Sequence, residues 1–487
     1  MITIVWAAPR HHTKWRRRGM SSLTTSRRMG FAMNRYSAVV TAFILMLLPF
    51  AAQAAPRQPN IILIMADDLG YETITANGGE SYQTPNLDQL AATGVRFDRC
   101  YVQPLCTPTR VELMTGQSNV RNYIRFGMID PKATTFAQLL KQAGYVTGIA
   151  GKWQLGREPG LPQDLGFDES CLWQQTRVPP RYANPGLEYN GEERDFNEGQ
   201  YGPDLVNDFA IDFVARHQDK PFLLYYPMIL THAPYQPTPD SKDWDPKAVG
   251  EQANRAPRHF GEMVTYMDKL IGKMTAKLDE LAIRDETLII FLGDNGTGAG
   301  TMSRFRGGEF KGGKGQSTAR GMHVPLIVNW PGHVPTGKVC DELVSSVDFL
   351  PTLCATGGVK PPAGLTLDGH SFLPLALGES GTPRPPIYSW YSQHGGGEPK
   401  HVFAMSKQYK LYSDGRLYDL DADPLEESAP LDSGALNAAQ AAAAEELRSV
   451  IAKYADARPA ALQGQPLPPV GKEQLNRRAQ RQGAAER

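Results

Sequence analysis

Four short apolar runs, each cut off by a polar or charged group, constrain the fold of this chain more than any other feature. They are Pro59–Met65, Tyr145–Ala150, Pro221–Pro227 and Thr287–Leu292. None alternates cleanly between apolar and polar residues, so both faces of each segment are buried, as in the interior strands of a parallel sheet. Segments with helical start, period and stop signals lie between them, at 84–94, 134–144, 209–217 and 261–282. Val95–Val102 and His323–Trp330 read as further strands. Alternation of this kind makes an α/β fold with a large, mostly parallel sheet flanked by helices. Parallel strands bring their carboxyl ends to one edge, where open α/β sheets hold ligands. The four runs end at Asp67/Asp68, Lys152, His232 and Asp294/Asn295, so these groups are expected in one cleft.

A second stretch belongs beside them. Cys106–Gly116 reads as a helix, with Thr107 as N-cap, Pro108 at the first helical position and Gly116 as the left-handed stop. Cys106 then faces unbonded N–H groups and the positive end of a helix dipole, a place suited to reactions on anions. Arg110, one turn inside, adds a cationic fork for oxyanions. The plainer alternative is a small buried cysteine beside an ordinary helix. Lys314 lies in a Gly- and Lys-rich loop, 305–317, without Walker spacing. Three carboxylates and a carboxamide form an oxygen-rich set for a hard cation, calcium or magnesium rather than zinc, with calcium favoured outside the cytoplasm. With Arg110, Lys152 and Lys314 they suit hydrolysis of a sulfate or phosphate ester.

The rest of the chain frames this site. Basic and acidic side chains number 51 each, and a net charge of zero provides no field to attract nucleic acid. The apolar stretch 38–48, followed by Ala52-Gln-Ala54, reads as a signal segment cleaved near Ala54. It is too short to span a bilayer stably. Met33 is a plausible alternative start, and Ser26-Arg27-Arg28 an imperfect twin-arginine signal. The mature protein is therefore expected to be periplasmic or secreted, with no membrane span. Residues 157–200, rich in Pro, Gly and charge, read as surface loops, and 458–487 as a mobile tail. Short strands at 387–391, 402–405, 409–412 and 417–420, with an Ala-rich helix at 437–454, form a small antiparallel sheet plus helix. The expected organisation is a targeting segment 1–55, a catalytic unit 56–380, a small unit 381–457 and the tail. Five cysteines, Cys100, Cys106, Cys171, Cys340 and Cys354, are an odd number for an exported protein.

Cys106-Thr-Pro-Thr-Arg110 with Leu113-Met-Thr-Gly116 resembles the core motif of the type I, formylglycine-dependent sulfatases of the alkaline phosphatase superfamily. Asp67-Asp68, Gly151-Lys152-Trp153, His232, Asp294-Asn295-Gly296 and Lys314 match in order. The resemblance runs from about Pro59 to Pro424 and implies an arylsulfatase-like enzyme, a sulfuric ester hydrolase acting on a sulfated glycan or small molecule. It implies that a maturation enzyme converts Cys106 to formylglycine, leaving four cysteines able to pair. By the same resemblance Asp67, Asp68, residue 106, Asp294 and Asn295 hold calcium, and one oxygen of the hydrated aldehyde attacks sulfur. Lys152, Gln154, His232 and Lys314 contact the sulfate, Arg110 steadies the hydrate and His232 helps protonate the leaving oxygen. The second hydroxyl of the hydrate then expels sulfate, which a plain alcohol could not do.

Two positions depart from the family pattern. Gln154 stands where the family has the histidine that helps expel sulfate, and a carboxamide takes no proton near neutral pH. Ala319-Arg320-Gly321 replaces Glu-Gly-Gly after the lysine loop, so Arg320 shapes the pocket or lies on the surface. Two rival readings follow: a phosphonate or phosphate ester hydrolase with the same nucleophile, and an inactive sulfate-binding relative.

Overall fold

The computed structural model describes residues 58–250, 254–382, 384–395 and 398–463. The expected signal segment and residues 464–487 of the expected tail lie outside them; the start of that tail is not mobile but packed, with Arg458 on Trp390 and a helical turn at Ala460–Leu462.

The first apolar run is β1 (Asn60–Ala66), and every residue in it is buried. Ile61, Leu63 and Met65 enter one core; Ile62, Ile64 and Ala66 enter a second. A strand feeding two cores from its two faces needs apolar residues at every position, which explains the absence of alternation. Burial of each Ile or Leu contributes roughly 1.5–3 kcal/mol.

Around β1 a ten-stranded sheet is assembled from β2 (Val95–Tyr101), β3 (Val146–Lys152), β4 (Glu169–Trp173), β5 (Gly186–Tyr189), β6 (Glu192–Asp195), β7 (Phe222–Pro227), β8 (Thr287–Gly293), β11 (His323–Asn329) and β12 (Lys338–Ser345). A separate hairpin, β9 (Met302–Phe305) and β10 (Gly308–Lys311), precedes β11. The strand order is β12-β2-β11-β8-β1-β7-β3-β4-β5-β6. β8, β1, β7, β3 and β4 run parallel, while β11 is antiparallel to both its neighbours. The carboxyl ends of β1, β3, β7 and β8 therefore share one edge.

Helices cover both faces. One core takes side chains from α2 (Cys106–Thr115), α3 (Phe136–Gln142) and α6 (Phe349–Thr356). The other takes them from α1 (Pro85–Ala92), α4 (Gly202–Arg216) and α5 (His259–Glu280). On α5 the expected stripe of Met263, Met267, Leu270, Met274 and Leu278 is fully buried. α4 begins seven residues before the expected Phe209, with Pro203 in its first turn.

The reading of 157–200 as surface loops is corrected by the fold. This segment contains β4, almost wholly buried beside β3, and β5 and β6, which extend the sheet to an exposed edge. Five residues flanked by Gly and charge carry too little period to reveal β4 in sequence.

The C-terminal strands β13 (Ile387–Tyr391), β14 (His401–Met405), β15 (Tyr409–Tyr412) and β16 (Leu417–Asp419) form an antiparallel meander. One face packs Ile387, Phe403 and Met405 on Met322 and Leu343; the other packs Leu411 and Leu417 on Leu447 of α7 (Ala438–Lys453). Among the described residues no helix is long and apolar enough to cross a membrane. The five cysteines are all free and buried, so the four left for pairing act as small core residues.

Candidate active site

The strand ends are joined to one another by backbone hydrogen bonds beyond the regular ladder. Asp67 N donates to Leu230 O, Thr231 N to Asp67 O, and Asp294 N to Ala66 O, at 2.8–2.9 Å. Gly151 is held at φ +126°, and a Cβ there would lie 1.9 Å from Pro227 O. Only glycine lets β3 lie so close to β7 and aim the next residue, Lys152, across the end of β1.

After β2 the chain turns directly into α2. The helix begins at Cys106, with extended Leu105 as its cap residue, so Thr107 is the second helical residue rather than the cap and Pro108 the third rather than the first. Pro108 is tolerated there because the first four N–H groups of a helix have no internal partner. The Thr107 hydroxyl instead accepts from Gly127 N, 3.1 Å. Gly116 ends the helix at φ +65° with its N–H on Glu112 O. All ten residues of α2 are buried.

The structure brings together every site residue expected from sequence. Lys152 Nζ donates to both Asp67 oxygens, at 2.9 and 2.8 Å. Asp68, in the left-handed region at φ +62°, turns its N–H onto Asp294 Oδ1 at 2.9 Å. Its carboxylate accepts from Asn295 Nδ2 at 2.9 Å and from Lys314 Nζ at 2.7 Å. Arg110 bridges Asp294 Oδ2, 2.9 Å, and Lys152 O, 3.1 Å. The Cys106 thiol donates to Gln154 Oε1 at 3.1 Å. His232 Nε2 lies 3.7 Å from Asp68 Oδ2.

Three carboxylates and three cations thus face one another out of water. Burial works against the ionised form of Asp67, but Lys152, His232, Arg110 and Lys314 together hold it far below the usual carboxylate range. Asp68 is lowered against the same penalty, by Lys314 and His232. Asp294 is raised, by burial and by the charge of Asp67, in spite of Arg110. Burial raises the Cys106 thiol against the pull of Lys152 and Lys314.

The donor set suits a hard divalent cation. Asn295 Oδ1 is buried and accepts no hydrogen bond among the described residues. Donor atoms of Asp67, Cys106 and Asp294 lie within 4.8 Å of one another, as do those of Asp67, Asp68 and His232. An orphaned carboxamide oxygen among carboxylates is what a calcium or magnesium ion would satisfy.

Arg181 was not found from sequence. It lies in the segment read as surface loops, yet its guanidinium stacks on Trp173 at 4.0 Å and approaches His232 Nδ1 at 2.9 Å. The Ala233 carbonyl lies near the same nitrogen. A guanidinium can only donate and a carbonyl can only accept, so Arg181 and Ala233 compete for Nδ1, while Nε2 faces Asp68. No pattern in the sequence points to this residue. Arg320 donates to Lys311 O and Glu427 and stacks on Phe310 at 4.8 Å. It ties the Lys314 loop to the C-terminal segment rather than lining the pocket.

Comparison with known proteins agrees with this geometry. Residues 59–359 match the family model "Sulfatase", and 316–453 the model "N-sulphoglucosamine sulphohydrolase, C-terminal". The chain is 36% identical to human arylsulfatase A over 423 residues, covering 78% of this chain and 80% of that one. With human N-acetylgalactosamine-6-sulfatase it shares 33% identity over 371 residues, 69% of each. Among solved structures, Ps i-CgsB in complex with k-i-k-neocarrahexaose superposes with a TM-score of 0.71 at 27% identity, covering 87% of this chain and 97% of that one.

Proposed function

The chain belongs to the sulfatase family and is a sulfuric-ester hydrolase, and on that premise we propose that it removes sulfate from a sulfated carbohydrate through formylglycine made from Cys106. The observation that carries this is the orphaned Asn295 Oδ1 among Asp67, Asp68 and Asp294, with the residue 106 side chain at the same point. Asp67, Asp68, Asp294 and Asn295 would hold calcium, which supplies positive charge to polarise the ester and the hydrated aldehyde. Carbohydrate as substrate is supported by the likeness to Ps i-CgsB in its oligosaccharide complex.

The remaining steps belong to side chains. Lys152 and Lys314, which pair with Asp67 and Asp68, would contact the sulfate oxygens. Arg110 steadies residue 106 from its seat on Asp294. His232, whose Nε2 faces Asp68, donates to the leaving oxygen. Gln154 accepts from residue 106 and aligns it without taking its proton. We assign 56–380 as the catalytic unit and 381–457 as the smaller one, in a protein exported to the periplasm or beyond and matured by a formylglycine-generating enzyme.

The test is made on protein from a host with the maturation machinery. Mass spectrometry of the Cys106 peptide is expected to find the aldehyde, and sulfate release from sulfated oligosaccharide to exceed turnover of an aryl phosphonate. An unmodified thiol would overturn the mechanism, and preference for the phosphonate would move the assignment to that ester class. Cys106→Ser is expected to keep the fold and lose multiple turnover.

A further inference from the structure

Two buried phenols near Cys106 have no part in the chemistry above. Tyr123 and Tyr391 are both at 0% exposure. Neither hydroxyl has a hydrogen-bond partner among the described residues. A buried donor left unbonded costs about 1–3 kcal/mol, so two together near a nucleophile call for an explanation.

Their placement supplies one. Tyr123 follows α2, and Tyr391 ends β13 of the smaller sheet. The loops that carry them are joined by a bridge between Arg125 and Gly395 and by Phe126 N on His394 O, 3.3 Å. Gly127 N, on the Thr107 hydroxyl, ties the first loop to the start of α2. Arg458 stacks on Trp390 at 4.3 Å and donates to Tyr123 O at 3.4 Å, bracing both from behind. Both phenols lie within electrostatic reach of residue 106, and Tyr391 within reach of Lys314 as well. Burial raises both phenols, so they keep their protons and can donate.

We propose that Tyr123 and Tyr391 form a paired hydroxyl subsite that donates hydrogen bonds to the oxygens of the sulfate group held at residue 106. This rests on the sulfatase reading and deepens it. Both side chains are shut off from solvent, and residue 106, within reach of both, and Lys314, within reach of Tyr391, are groups assigned to sulfate. The smaller sheet thereby supplies one wall of the reaction centre.

Tyr123→Phe, Tyr391→Phe and the double variant test this, because the ring stays and only the hydroxyl goes. Each single variant should keep or raise its melting temperature, since an unsatisfied group is removed. Each should lose about tenfold in affinity for inorganic sulfate by titration calorimetry, and at least as much in kcat/KM. The kcat/KM loss should be equal for a small aryl sulfate and a sulfated oligosaccharide. Unchanged sulfate affinity, with or without a lower melting temperature, overturns the proposal, as does a loss confined to the oligosaccharide. Wild-type protein that turns over neither ester overturns the functional reading alone, because the sulfate titration still decides the pair.

Discussion

Replacing Lys152 by Met should make an inactive protein that binds calcium more tightly than the wild type. Lys152 Nζ lies 2.9 and 2.8 Å from the two oxygens of Asp67, with side-chain exposures of 1% and 0%. At an effective dielectric of about 20, unit charges about 2.8 Å apart attract by about 6 kcal/mol. Desolvation offsets part of this, and breaking a buried pair from one side typically costs about 3–5 kcal/mol. Methionine fills most of the volume of the lysine stem, so lost charge rather than a cavity dominates. In chelator the variant should therefore be about 3–5 kcal/mol less stable by urea unfolding. In calcium, Asp67 regains a counter-charge, and the deficit should shrink to about 1 kcal/mol. The cycle must close, so a difference of about 3 kcal/mol returns as calcium affinity increased about 100-fold. Titration calorimetry on chelator-treated protein reads that number directly. Equal or weaker calcium binding by the variant would refute Asp67 as a ligand and the competition between lysine and metal.

Three further substitutions test other parts of the argument. Burial pushes Glu112, on α2, up to about 7 from 4.5, against hydrogen bonds from Ser346, Asn119 N and Gln103. A raised folded pKa gives stability that is complete below about pH 4.5 and lost as pH rises through 7, so ionised Glu112 weakens the fold by up to about 3 kcal/mol. Glu112→Gln should match the wild type near pH 4.5 and exceed it at pH 8 in melting temperature; parallel pH curves would refute this. Gly151→Ala drives a Cβ into Pro227 O at 1.9 Å and should cost at least about 3 kcal/mol, read by denaturant unfolding; a loss under 1 kcal/mol would mean that β3 and β7 can separate. Gln154, at φ +52°, occupies a backbone region that histidine tolerates. Gln154→His places a proton acceptor by residue 106 and should raise kcat while leaving kcat/KM unchanged, if sulfate expulsion limits turnover; steady-state kinetics showing a lower kcat would refute that.

The parts of the molecule legible in sequence are those where a local pattern has one physical cause. β1, β7 and β8 are continuous apolar runs because both their faces are buried, and their ends mark the site. The stripe on α5 repeats with the helix because one face meets the core. What escaped notice depends on partners far along the chain. β4 is recognisable only beside β3, and Arg181 only where Trp173 and His232 surround it. The helix start at Cys106 was misplaced because Thr107 and Pro108 satisfy cap preferences equally well two positions along, while the Thr107 hydroxyl is drawn to Gly127. The five cysteines suggested pairing by number alone. In the fold Cys100 on β2 stands opposite Val344 and Cys340 on β12 opposite Phe97, so neighbouring strands do not oppose them.

The charge balance of the site pairs its cations with the carboxylates proposed as metal ligands. Asp67, Asp68 and Asp294 are matched by Lys152, Lys314 and Arg110. Six charges of zero net sum, all but Lys314 buried, avoid the cost of an uncompensated ion. Such a site has little attraction for a sulfate ester, since each lysine is already engaged by a carboxylate. With a divalent cation on the three carboxylates the sum would be plus two, and Lys152 and Lys314 would lose their carboxylate partners. The anion then meets free ammonium groups and a net positive field together. Metal binding and anion binding would thus be coupled through the Lys152–Asp67 and Lys314–Asp68 pairs. Arg110 is the exception: its second bond, to Lys152 O, fixes it to β3, so it would stay on Asp294 while the lysines exchange partners.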